Sequence, residues 1–206
     1  MSQFLRIHPQ NPPTRLIHTA ADVLRAGGVV AYPTDSSYAL GCAIGNRAGA
    51  DRIQRIRKLD KAGYLTLVCR DLSEISAYTR VENWMYRLLK SYTPGPYTFI
   101  LKATRDVPKR MQDPKRKTVG IRVPAHPVPL ALLGALGEPL MSSTLWLRGD
   151  DMPLTDAEDI RDRIEHQLDA IIDGGTCSQE PTSVIDLTGD SPVVVRAGCG
   201  DVSALG

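Results

Sequence analysis

From residue 97 onward this chain carries six strand-like runs, at 97–102 (YTFILK), 118–123 (TVGIRV), 139–144 (PLMSST), 169–172 (DAII), 182–187 (TSVIDL) and 193–196 (VVVR). Only two helix-like segments, at about 127–136 and 155–166, separate them, the second with Thr155 and Glu158 spaced as a capping box. Parallel neighbours need a crossover of a dozen or more residues, whereas antiparallel neighbours need only a turn. Strands crowded this closely cannot all run the same way. The fold class expected is therefore α/β or α+β, with a large mixed sheet rather than a clean doubly wound parallel one.

The amino half alternates more regularly. Leu16, Ala20, Val23 and Leu24 recur at helical spacing, Gly27-Gly28 ends that helix, and Val29 to Tyr32 reads as a buried strand. Residues 47 to 58 form an amphipathic pattern with Ile53 and Ile56 inward, followed by a strand at 65–70, a helix opening at Asp71 and another over 82–91. No repeat or long linker interrupts the 206 residues, so 1–206 reads as one domain.

Hydrophobic and charged fractions of 42% and 23% suit a globular protein, and no apolar run is long enough to span a bilayer. The first residues lack an export signal, so the cytoplasm is the expected location and no membrane partner is expected. Cys42, Cys69, Cys177 and Cys199 are scattered without a Cys-x-x-Cys pair, and are expected to be reduced thiols rather than metal ligands.

Two stretches carry the chemistry. "YPTDSSYALGC", residues 32 to 42, places small hydroxyls, one acid and a glycine where a strand gives way to a loop, an ordinary turn or the edge of a polar pocket. Net charge is only +2, yet Lys102 to Arg122 holds eight basic residues against Asp106 and Asp113, among them Lys109, Arg110, Lys115, Arg116 and Lys117. Nucleotide phosphate and RNA backbone both suit that run. Phosphate-loop, dinucleotide-fold, zinc-protease and nucleophile-elbow motifs are absent, and the four histidines lie in no catalytic arrangement. No catalytic nucleophile is expected; hydroxyls and cations that bind and position ligands are.

Loop 32–42, Pro94-Gly95-Pro96-Tyr97-Thr98, "TVGIRVPAHP" at 118–127 and "PTSVIDLT" at 181–188 occur in an order that resembles the YrdC/YciO family, most of all its YciO branch, over essentially the full chain. The resemblance implies an α/β fold, a single twisted mixed sheet flanked by helices of the YrdC-like (YrdC/RibB-type) kind, around a concave basic cavity. It also implies an activity like that of threonylcarbamoyl-AMP synthases, nucleotidyltransferases that convert ATP, L-threonine and bicarbonate to threonylcarbamoyl-AMP and pyrophosphate for tRNA adenosine modification. By similarity Thr34, Arg122, Ser142 and Thr182 would bind threonine, with the Arg122 guanidinium on the carboxylate, and Arg57, Thr118, Thr144 and Arg196 would bind nucleotide. Magnesium would accompany ATP without a protein cage of its own.

The family's Lys-x-Arg signature reads here Arg57-Lys58-Leu59, leaving Lys58 or Lys61 as possible substitutes, and its Ser-Ala-Asn-x-Ser-Gly reads Thr144-Leu145-Trp146-Leu147-Arg148-Gly149. Cys69 stands for a histidine that often faces the amino acid, and Ala39 for a loop glycine. Lost cations imply weaker stabilisation of departing pyrophosphate. The alternative reading is a double-stranded RNA, tRNA or ribosome-binding module that keeps the cavity without efficient synthesis. For each isolated hydroxyl the plain alternative to ligand binding is local backbone capping.

Overall fold

A computed structural model describes residues 2–58 and 65–205. In chain order its elements are β1 (Gln3–Arg6), α1 (Thr14–Arg25), β2 (Val30–Tyr32), β3 (Ala39–Ala43), α2 (Arg47–Arg57), β4 (Thr66–Val68), α3 (Leu72–Tyr78) and α4 (Asn83–Tyr92). There follow β5 (Tyr97–Lys102), a 3-10 turn (Lys109–Met111), β6 (Thr118–Arg122), α5 (Pro127–Leu136), β7 (Leu140–Thr144), α6 (Ala157–Ile164), β8 (Ala170–Asp173), β9 (Ser183–Asp186) and β10 (Val193–Arg196).

Helix ends follow local chemistry. Asn46 and Asp71 open α2 and α3 by accepting the amides of Gly49 (2.9 Å) and Glu74 (3.0 Å). Gly137, at φ 79°, closes α5 in the left-handed conformation open to glycine. The expected Thr155 box is replaced by Asp156, whose carboxylate accepts from Glu158 N (2.9 Å) and Asp159 N (3.2 Å), so α6 starts at Ala157. Asp is the stronger N-cap and offers an acceptor to both amides. No described helix is long and apolar enough to cross a membrane.

All ten strands form one sheet in the order β1-β8-β2-β3-β7-β4-β6-β5-β9-β10. The pairs β1/β8, β2/β8, β4/β6 and β5/β9 are parallel, and the other five are antiparallel. The mixed sheet expected from the crowded carboxyl half is what forms. Two strands escaped the sequence reading: β1, and β3, whose Ala-Leu-Gly-Cys-Ala lacks the branched and aromatic residues favoured in strands. Loop 32–42 is thus a turn plus a fully buried strand that pairs back on β2, with Val30 opposite Gly41.

Strand side chains alternate between faces, and the two faces have different fates. On one, Ala31, Leu40, Leu67, Phe99, Leu101, Val119, Ile121, Met141, Ile171 and Ile185 join Ile53 and Ile56 of α2, Ile75 of α3, Leu89 of α4 and Ile160 of α6 in the main core. On the other, α1 and α5 cover the β1-β8-β2-β3 end, through Ala20, Ala21, Leu24, Leu132 and Leu133 against Val30, Tyr32, Ala170 and Ile172, and the same cluster reaches Leu140 of β7 and Val68 of β4. The remaining part of that face, over β7, β4, β6, β5 and β9, carries Ser142, Thr144, Thr66, Thr118, Gly120, Arg122, Thr98 and Ile100, and lines a cavity.

Neighbours on β5 test this asymmetry. Leu101 is fully buried in the core whereas Ile100 lines the cavity. Leu101→Ala is expected to cost about 2–5 kcal/mol in urea denaturation and Ile100→Ala less than half of that. Equal losses would mean the second face is packed rather than open.

Candidate functional site

The cavity encloses about 400 Å³, in the usual range for a small-molecule site of roughly 300–1,000 Å³. Register arranges its floor in rows. Arg122 lies opposite Val68, Gly120 opposite Ile100, and Thr66 opposite Ser142. Thr118 stands four residues from Arg122 on β6 and faces the same way, about 13 Å off at the spacing of a strand. The site therefore has an Arg122 end and a Thr118 end. A Cβ on Gly120 would stand 3.3 Å from the Thr98 methyl and begin to fill the floor between them.

Thr34, Arg57, Thr118, Arg122, Ser142, Thr144, Thr182 and Arg196 all line this one cavity. Arg196 donates to the Thr182 carbonyl (2.8 Å from Nη2), which puts it with Thr182 rather than beside Thr144. Leu59 and Lys61 lie outside the described residues. Of the basic residues from Lys109 to Lys117, Arg116 alone lines the cavity; Lys109, Lys115 and Lys117 are exposed. Arg110 points elsewhere, pairing with Asp51 of α2 and donating to the Arg47 carbonyl (3.0 Å). It ties the β5–β6 loop to that helix. Cys69 is buried in the main core, on the face away from the cavity, and burial pushes its thiol up. Trp146 does not line the cavity, and its indole N–H donates to the Asp150 carbonyl (2.9 Å).

Local hydrogen bonds decide what each polar group has left for a ligand. The Thr34 hydroxyl donates to Ser37 O (2.6 Å) and accepts from Ser36 N (3.0 Å) and Ser36 Oγ (3.0 Å), a capping turn that uses its proton and both lone pairs. Thr34 therefore has no hydrogen-bonding capacity to spare unless this turn rearranges. Two neighbours behave differently: Ser37 Oγ and Arg122 Nε are buried in residues that line the cavity and make no hydrogen bond among the described residues. The Thr98 and Thr182 hydroxyls, 9% and 6% exposed, bond each other at 2.9 Å, and one of their two protons has no protein acceptor among the described residues. Spare donors thus gather at the Arg122 end, where an acceptor-rich group such as a carboxylate would satisfy them.

Arg122 itself is held by a buried pair with Asp35, their side chains 9% and 10% exposed, and Asp35 also accepts from Ala125 N (2.8 Å). At the centre, the Tyr32 ring crosses over Gly41, where a Cβ would come within 2.9 Å, and its hydroxyl meets Ser142 Oγ at 2.7 Å. Burial pushes the Tyr32 hydroxyl up to about 12, and Ser142 passes its own proton to Leu40 O (2.8 Å). At the other end, Arg57 Nε donates to Ser143 Oγ (3.0 Å) and Nη1 to the Trp146 carbonyl. It has no carboxylate partner among the described residues, and burial lowers its pKa. A half-buried cation without a described counter-ion favours an anion beside it.

Sequence reasoning missed Tyr32, Asp35, Ser37, Thr66 and Thr98. Period-two placement of Thr66 and Thr98 on otherwise apolar strands was a usable signal; nothing in the sequence marks Ser37 apart from Ser36.

Comparisons with known proteins agree with the fold. The sequence model of the Sua5/YciO/YrdC family, described as telomere recombination, matches residues 22–198. YciO of Escherichia coli (strain K12) is 56% identical over 202 residues, covering 98% of each chain. The crystal structure of E. coli YciO superposes with a TM-score of 0.95 over the whole of both chains at 55% identity. P. abyssi Sua5, in a crystal structure complexed with L-threonine, gives a TM-score of 0.88 at 25% identity, covering 96% of this chain and 58% of that one. With most of its length matched and a relative at 56% identity end to end, this chain belongs to the Sua5/YciO/YrdC family.

Proposed function

We propose that this protein is a nucleotidyltransferase of the L-threonylcarbamoyladenylate synthase type, taking ATP, L-threonine and bicarbonate. The observation that carries the reading is the cluster of unpartnered donors, Ser37 Oγ, Arg122 Nε and one hydroxyl proton of the Thr98/Thr182 pair, at one end of a cavity lined by arginines. A relative in the same family, P. abyssi Sua5, was crystallised with L-threonine.

In this reading Arg122 and Ser37 take the amino acid's carboxylate, the lone pair left on Ser142 takes one of its donor groups, and Thr34 shapes the turn beside them. The amine attacks bicarbonate carbon with loss of water, and an oxygen of the resulting carbamate attacks the α-phosphorus of ATP. A P–O bond forms to the carbamate as the bond to the leaving pyrophosphate breaks. No protein nucleophile is needed, only placement of reactants and stabilisation of phosphate charge. Thr118, Thr144 and Arg57 face the nucleotide, and Arg196 is the cation at the junction with the amino acid. Magnesium enters with ATP, held by phosphates and water, with Asp113 the one carboxylate among the described residues that line the cavity.

A second reading rests on the exposed Lys109, Lys115 and Lys117: contact with the phosphates of tRNA or double-stranded RNA. Replacing all three by Ala is expected to flatten the logarithmic salt dependence of RNA binding by about 0.9 for each phosphate no longer neutralised. An unchanged slope removes those lysines from any RNA surface.

The synthase reading is tested by pyrophosphate release from ATP and bicarbonate with and without L-threonine. Release that ignores threonine, or no release, would overturn it. Arg122→Lys keeps a cation beside Asp35 but removes the Nε donor, and is expected to lower kcat/KM for threonine by about 10–100-fold. Ser37→Ala and Thr34→Ala should divide binding from stability. Ser37 makes no internal side-chain bond, so its loss weakens threonine binding by about tenfold and leaves the urea midpoint nearly unchanged; Thr34→Ala loses a turn and costs about 1 kcal/mol of stability.

A further inference from the structure

The basic stretch before β6 contains one residue whose geometry differs from its neighbours. Arg116 lines the cavity, yet its side chain is 53% exposed and is held by a single nitrogen. Nη2 donates to Asp186 Oδ2 and to Thr188 Oγ1, both at 2.7 Å. A guanidinium carries five N–H donors; the three on Nε and Nη1 have no protein acceptor among the described residues. The clamp is itself built: Asp186 Oδ1 accepts from Thr188 N (2.9 Å) and Thr188 Oγ1 (2.6 Å), so the carboxylate is fixed before Arg116 reaches it. Arg116 precedes Thr118 by two residues, which puts it at the end of the cavity away from Arg122.

We infer that Arg116 is a polyphosphate-binding residue, moored by one nitrogen to Asp186 and Thr188 and offering its remaining donors to the β- and γ-phosphates of ATP. This rests on the proposed function in taking ATP as the ligand of the Thr118 end. The mooring has a physical purpose. An arginine on an exposed loop loses rotamer freedom when it grips an anion, and a side chain already held at one nitrogen loses less. The Arg116 side of the pair is 53% exposed against 15% for Asp186, so the guanidinium faces the solvent side of the clamp, where its remaining donors are open to an anion. Arg116 differs here from Arg110, which is turned to α2 and away from the cavity.

The experiment measures affinity of the purified full chain for ATP and for AMP by calorimetry, with magnesium present. Arg116→Ala is expected to weaken ATP binding about tenfold or more and to leave AMP binding unchanged. Asp186→Asn, which loosens the mooring but keeps Arg116, is expected to weaken ATP binding by clearly less than Arg116→Ala does and to leave AMP binding unchanged. If both variants weaken ATP alike, Arg116 serves only to pin the loop and the inference fails. Unchanged ATP affinity in Arg116→Ala, or equal losses for ATP and AMP, also overturns it. A wild-type protein that binds no ATP overturns both this inference and the synthase reading, whereas ATP binding without threonine-dependent pyrophosphate release leaves Arg116 testable and sinks only the latter.

Discussion

A guanidinium almost out of water on the floor of a sheet is the constraint on which the site depends. Arg122 comes from β6 between two apolar positions, Ile121 and Val123, that belong to the core. A charge so placed needs a counter-ion and hydrogen bonds. Asp35 supplies the charge, and Ala125 N fixes Asp35 in turn. The loop after β2 must therefore fold back to β6, and the Thr34 turn with Ser36 and Ser37 is the conformation that brings it there. The cost of this arrangement stays visible, because Arg122 Nε and Ser37 Oγ are left without partners. That deficit leaves buried donors that an acceptor-rich group would satisfy.

Small residues elsewhere serve the same end. Gly41 lets the Tyr32 ring lie flat across β3, so that a hydroxyl from β2 reaches Ser142 on β7, two strands away. Gly120 keeps the middle of the floor open. Apolar alternation fills one face of the sheet without interruption, while threonines, serines and glycine on the other face keep helices from packing there. The open half-face is thus a consequence of side-chain choice at alternate positions rather than of a missing element.

Much of this was legible in the primary structure. Crowded strands with few helices between them required a mixed sheet, and eight residues chosen by resemblance lie around one cavity. Where the reading failed, short-range and long-range chemistry competed. Asp156 displaced Thr155 as a cap because a carboxylate accepts two amides. β3 was missed because its residues are chosen for thinness under an aromatic ring on a neighbouring strand, which no local preference reveals. The basic run read as one surface, whereas Arg110 and Arg116 turn to different partners, Asp51 on α2 and Asp186 on β9.

By itself the sequence determined the alternation of elements, the mixed sheet and the residue types available for anions and small hydroxyl-bearing ligands, since these depend on periodicity and composition along the chain. Tertiary structure alone decided which groups are free. Thr34 and Ser37 are similar hydroxyls three residues apart, but one is closed into a turn and the other left open. Four arginines line the cavity, and their partners, an aspartate from a distant loop, a carbonyl of β7's exit, a strand carboxylate and a neighbouring backbone, are set by sheet order. A hydrogen bond needs both its atoms within about 3 Å, and that proximity between residues scores of positions apart exists only once the sheet has closed.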